Sequence, residues 1–185
     1  MKKIVAVTAL ISLNTAAFAT EFKANVLGIT EENTFANDYV LNALDCHGKN
    51  ISPEIKWENA PKETKAFAVT LYDVDGPSDS GFWHWLAFNI PANVNIIPKG
   101  ASKNIKLLPK GTIESRTDFI KSVNGEYGYG GACPPKGDKP HKYVYKITAL
   151  KDKIPLNKDA SPAFVSYYIR QLKIAESVIE VNHGR

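Results

Sequence analysis

Two apolar runs, AFAVTLYDVD over residues 66–75 and FWHWLAFNIP over residues 82–91, are separated only by the turn-rich GPSDSG. Short apolar runs bounded by turn signals read as strands, and the chain repeats the pattern. YVYKITAL (143–150) is a third run, EFKANVLGI (21–29) a weaker fourth, and SVIEV (177–181) alternates well enough for a last strand. One segment reads as a helix. Ser161 suits an N-cap and Pro162 the first helical position. Beyond them Phe164, Tyr168, Leu172 and Ala175 fall on one face, with Val165 and Ile169 beside them. No internal repeat or low-complexity linker interrupts the chain. The expectation is one mainly β domain with minor α, the helix covering a sheet near the C-terminus.

The first 19 residues, MKKIVAVTALISLNTAAFA, carry two lysines, a short apolar core and Ala17-Phe18-Ala19. That is the pattern of a cleaved secretory leader, too short for a membrane span. Residues 20–185 then form the domain, and a periplasmic or secreted location follows. No later segment approaches the roughly 20 apolar residues of a transmembrane helix. With Lys2 and Lys3 set aside from the 23 basic residues, the balance against 19 acidic ones is +2. So small an excess, with its lysines scattered, gives no electrostatic case for nucleic acid or a membrane surface. Two cysteines remain, Cys46 and Cys133. In an oxidising compartment they are expected to form one intrachain disulfide, two free thiols being the other arrangement.

Titratable groups gather at strand ends. Asp73 and Asp75, two apart, are expected to point to the same side of their strand. In WHW, Trp83 and Trp85 should share one face and His84 take the other. His141 and Tyr143 should share a face on the third strand. Each has a plain structural reading: aspartates bond turn amides, and a histidine between tryptophans is usually satisfied within a core. Convergence of two histidines, two aspartates and a tyrosine on neighbouring strands instead points to a ligand pocket. Immediately before His141, YGGACPPKGDKP holds three glycines and three prolines (129–140), which excludes an ordinary helix or central strand.

DVDGP (73–77), GFWHW (81–85), RTDF (116–119) and CPPKGDKPHKY (133–143) occur in an order and context that resembles the phosphatidylethanolamine-binding protein family. The likeness is to its bacterial Raf-kinase-inhibitor-like branch. It extends over nearly the whole chain after the leader, including NISPEIKWENAPKETKAFAVTLYDVD (50–75). The resemblance implies a large antiparallel sheet packed on a smaller one, and a small pocket for phosphate, acetate or a phospholipid headgroup. Carried over by motif, the ligand-binding positions are Asp73, Asp75, Pro77, His84, Gly130, Pro134, Pro135, His141 and Tyr143. Two departures stand out. Val74 replaces a central proline, and Lys142 stands where many members have arginine, keeping the charge without the bidentate geometry.

The expected function is an exported ligand-binding or modulator protein with a small anion pocket, without cofactor or metal. A protein partner that it inhibits is compatible with the resemblance. In that reading the Gly/Pro segment forms a rigid wall, its glycines allowing close approach and its exposed amides a concavity for anions. Two other classes compete. A hydrolase or metal-dependent enzyme would use Asp73, His84 and His141, but no HExxH, GxSxG or CxxC spacing accompanies them. An interaction protein with a vestigial pocket is the third.

Overall fold

The computed structural model describes residues 20–119 and 127–185. The leader expected at residues 1–19 lies outside them. Strands β1 (Lys23–Val26), β2 (Ile55–Glu58) and β5 (Ile96–Ile97) form a small sheet in the order β1-β2-β5. Strands β3 (Ala66–Asp73), β4 (Phe82–Pro91), β6 (Ile113–Glu114), β7 (His141–Leu150) and β8 (Lys173–His183) form a large one in the order β6-β4-β3-β7-β8. All pairs are antiparallel. Among the described residues no helix is long and apolar enough to cross a membrane.

Every residue of β3 except Tyr72 is buried, because the large sheet is covered on both faces. Its inner face sets Phe67, Val69 and Leu71 with Trp85, Tyr145 and Ile147 against Val26, Ile55, Trp57 and Ile97 of the small sheet. Its outer face packs Ala68, Leu86, Phe88 and Leu150 against helix α1 (Pro162–Leu172). Each large apolar side chain so buried contributes about 1.5–3 kcal/mol.

Helix α1 departs from the expected face. Ser161 caps it as anticipated, its Oγ accepting from the Phe164 amide. The buried line, however, is Val165 and Ile169, with Tyr168 and Leu172 packed at its margin, while Phe164 is 54% exposed. Ala175 is not helical at all. Lys173 turns straight into β8 and pairs with Leu150, so the ladder with β7 captures the chain where the apolar spacing would have continued the helix.

Two irregularities in β4 also overturn the expected facing of the tryptophans. The β3–β4 register shifts between Phe67 and Val69, and again between Leu71 and Tyr72. At the second shift Leu71 faces Trp85 but Tyr72 faces Trp83, leaving His84 as an extra residue in β4. A bulge of this kind re-aims side chains. Trp85 therefore lies in the inner core and Trp83 against the outer cluster, rather than on one face. His84, next to Trp85 in sequence, turns its ring to Tyr143 of the same inner cluster, with centroids 5.2 Å apart.

Candidate functional site

Because Asp73 pairs with both Phe82 and Tyr143, the end of β3 meets the beginnings of β4 and β7. This brings Asp73, His84 and His141 together at one edge of the sheet. Asp73, Pro77, His84, Pro134, Pro135 and His141 line a pocket of about 210 Å³. Leu44, Phe82, Phe119, Cys133 and Arg185 complete the lining. Asp75, Gly130 and Tyr143 do not line it and act from behind.

Asp73 is almost wholly buried and serves two partners. Its Oδ2 lies 2.8 Å from His141 Nδ1, and its Oδ1 accepts the Asp75 amide at 3.0 Å. The latter bond closes a tight turn of the kind aspartates favour and ends β3 there. Asp75 is thus turned away from the side that strand alternation assigned to it. Its carboxylate accepts from the Lys142 amide at 2.9 Å and from Lys139 Nζ at 3.0 Å. These donors, the Lys142 amide foremost, hold it below the usual carboxylate range. His141 Nε2 is 3.5 Å from Asp138 Oδ2.

His84 occupies the bulge. Its Nδ1 is 3.0 Å from the Gly130 carbonyl oxygen, and the Gly130 amide donates back to the His84 carbonyl at 2.9 Å. Burial pushes the ring below the ordinary histidine value, against smaller opposing pulls from the Gly130 carbonyl and the Asp73 carboxylate. The unfolded chain takes up a proton near pH 6.5, whereas the folded ring resists it. Stability is therefore expected to fall as the pH drops below about 6.5, by at most about 1.4 kcal/mol per unit for this group. His183, also depressed by burial, adds the same sign. Urea melts between pH 5 and 7 check this, and His84→Gln should flatten the slope.

The Gly/Pro segment is fitted rather than free. A Cβ on Gly131 would lie 2.3 Å from the Tyr39 carbonyl oxygen, and one on Gly130 would lie 2.3 Å from the Phe119 ring. The Gly131 amide donates to Asn50 Oδ1 at 2.7 Å. Cys133 is joined to Cys46, with Cα atoms 5.9 Å apart across 87 positions of sequence. Arg185 ties the same wall down, donating through Nε to the Pro134 oxygen at 2.7 Å and through its guanidinium to the Asp45 oxygen at 2.8 Å. Behind the pocket, the Tyr143 hydroxyl is buried with no hydrogen-bond partner among the described residues, and burial first, then Asp73, raises it above an ordinary phenol.

Phe82 and Phe119 escaped the sequence reading as pocket residues although both stand in motifs singled out there, GFWHW and RTDF. Leu44 and Arg185 carry no local signal. Glu114 was missed as well. Largely buried, it accepts from Trp85 Nε1 and Ser102 Oγ at 2.6 Å each and from the Lys103 amide at 2.8 Å. Ser102 Oγ accepts the Tyr129 amide at 2.7 Å, so this carboxylate anchors the approach to Gly130. Burial raises its pKa against the pull of those donors.

Among the described residues the pocket wall offers no free hydroxyl or thiol: nearby Ser78 Oγ donates to the Gly81 carbonyl, and Cys133 is disulfide-bonded. Among the described residues, no three side chains of metal-ligating type gather around one point. The arrangement can hold a small polar group between two imidazoles and an arginine.

The family model described as phosphatidylethanolamine-binding protein matches residues 30–184. The UPF0098 protein YbcL of Escherichia coli is 41% identical over 181 residues, covering 97% of this chain and 96% of that protein. YbhB of the same organism is 38% identical over 142 residues, covering 76% of this chain and 86% of its own length. The crystal structure of YbcL, described as a new member of the mammalian PEBP family, superposes with a TM-score of 0.82, covering 89% of this chain and 99% of that one. A homologue from Chlamydia trachomatis at 20% identity shares the fold, with a TM-score of 0.71 over 89% of this chain and 98% of its own. The extent of these matches, together with the two-sheet fold, makes this chain a member of the phosphatidylethanolamine-binding protein family.

Proposed function

We propose that this protein is an exported binding module whose pocket holds a small anionic group, a phosphate or a phospholipid headgroup-like ligand, and that it works by carrying or presenting that group or by modulating a partner protein rather than by catalysis. The observation that carries the reading is the convergence of His84, His141 and Arg185 on a cavity of about 210 Å³. That volume fits a headgroup-sized moiety rather than the drug-sized ligands of larger pockets. The buried Asp73 fixes His141 through Nδ1, which leaves Nε2, 3.5 Å from Asp138 Oδ2, as the nitrogen to meet a ligand. The absence of a free nucleophile from the described lining favours holding over turnover. Export is supported by the leader pattern of residues 1–19 and by the disulfide, which persists in oxidising compartments.

An NMR titration of the oxidised domain with phosphoethanolamine and with inorganic phosphate tests this, following the histidine rings. Saturable shifts of His84 and His141, lost in Asp73→Asn, are expected. Rings unmoved at millimolar ligand would sink the reading and turn the search to a protein partner.

A further inference from the structure

Where helix α1 packs on the outer face of the large sheet, a cavity of about 290 Å³ remains between them. It shares no lining residue with the histidine pocket. Alternation from Ala68 and Leu150 puts Thr70 of β3 and both Lys146 and Thr148 of β7 on that outer face. Thr70 stands opposite Lys146 in the ladder, and Thr148 opposite Glu176 of β8. The helix adds Ser166 and Arg170, one turn apart, and Lys173 enters from the start of β8. Trp83 and Ile169 complete the lining with apolar surface.

Three cations thus meet a single carboxylate in this lining. Glu176 is already engaged, accepting from Lys173 Nζ at 3.1 Å and from the Thr148 hydroxyl at 3.3 Å. Asp118 accepts the Trp83 amide at 2.8 Å but does not line the cavity. Lys146 and Arg170 have no ion-pair partner among the described residues. The Thr70 hydroxyl, in a residue 4% exposed, likewise has no hydrogen-bond partner among them. Polar groups so enclosed are costly to leave unpaired, and their convergence from a helix and three strands describes a place made for a ligand.

We propose that this cavity is a second binding site, independent of the histidine pocket, and that it takes a sugar acid, a small molecule carrying carboxylate on a polyhydroxylated carbon chain. Carboxylate answers Lys146 and Arg170, the two cations that Glu176 leaves uncompensated. The ligand's hydroxyls answer those of Thr70 and Ser166, and its C–H surface rests on Trp83 and Ile169. The cavity sits at the small end of ligand pockets, which begin near about 300 Å³, so one short sugar unit is the appropriate size. A neutral sugar leaves the cations unmatched, and a plain dicarboxylate leaves the hydroxyls unmatched. A site built around hydrogen-bonding groups rejects analogues that leave them unpaired.

Calorimetric titration at pH 7 and low ionic strength with glucarate, adipate and glucose separates the two requirements. Glucarate and adipate are dicarboxylates of equal chain length that differ in their hydroxyls, and glucose has the hydroxyls without the charge. Glucarate is expected to bind at least about tenfold more tightly than either of the others. Adipate or glucose matching it would overturn the assignment, as would no binding by glucarate. The Trp83 indole N–H signal in the NMR spectrum locates the ligand without any variant. It is expected to shift saturably with glucarate while the rings of His84 and His141 stay still. Histidine shifts with an unmoved indole would place glucarate in the other pocket and overturn the proposal. Lys146 and Arg170 are both exposed, so the double variant Lys146→Gln, Arg170→Gln should keep its urea midpoint and lose about tenfold or more in glucarate affinity. Unchanged affinity in that variant counts against the site.

Discussion

Replacing both Cys46 and Cys133 by serine, or reducing the bond between them, is expected to lower the unfolding free energy by about 4–5 kcal/mol. The bridge spans 87 positions, and closing a loop of that size removes about that much chain entropy from the unfolded state. The covalent tie also has a local effect. Leu44 and Asp45, beside Cys46, both have positive φ, 52° and 64°, a conformation that side chains other than glycine rarely adopt. The bridge and Arg185 hold them there. Since Leu44 and Cys133 both line the pocket, ligand affinity should weaken along with stability. Urea unfolding of the oxidised protein, the reduced protein and the double serine variant measures the first effect. Coincident curves for all three would contradict it.

Asp73→Ala is expected to cost about 3–5 kcal/mol, the range for removing one partner of a buried pair. The loss strands His141 Nδ1 and the Asp75 amide, both bonded to Asp73. The side chains of Asp73 and His141 are only 3% and 4% exposed, so little solvent reaches the bond between them. A double-mutant cycle with His141→Phe separates the pair from the turn. Coupling above about 1 kcal/mol is expected for groups sharing a hydrogen bond. Additive losses would mean that Asp73 acts only by ending β3.

The main sheet was legible in the sequence because its long strands are apolar and bounded by turns. The expected run over 82–91 coincides with β4, and those at 66–75 and 143–150 miss β3 and β7 by two residues at one end. The two-residue strands β5 and β6 are too short to carry a period. Ile55–Glu58 alternates cleanly, buried at Ile55 and Trp57 and exposed between them, and Ser52-Pro53 and Asn59-Ala60-Pro61 flank it, so a strand signal is present there that the longer apolar runs overshadow. The helix start was legible through its cap; its end was not, because pairing with β7 is a long-range event that local spacing cannot register. The pocket was legible as far as its motifs reached. Alternation placed His84 opposite Trp85, and only the three-dimensional register reveals the bulge. Arg185 and Leu44 reach the site across roughly 140 positions, a closeness made by the fold.

The extra residue at His84 makes the length of β4 as consequential as its composition. If the ladder ran on regularly with His84 retained, Tyr72 would face His84 and Asp73 would face Trp83, sliding every earlier position of β4 by one step relative to its present pairing. A one-residue slip moves side chains to the opposite face of a sheet. Trp83 would then swing inward beside Trp85, and Phe82 would leave the pocket wall for the outer surface. In this segment the irregularity itself holds the pocket wall in place, and the spacing between the two tryptophans is part of the binding site.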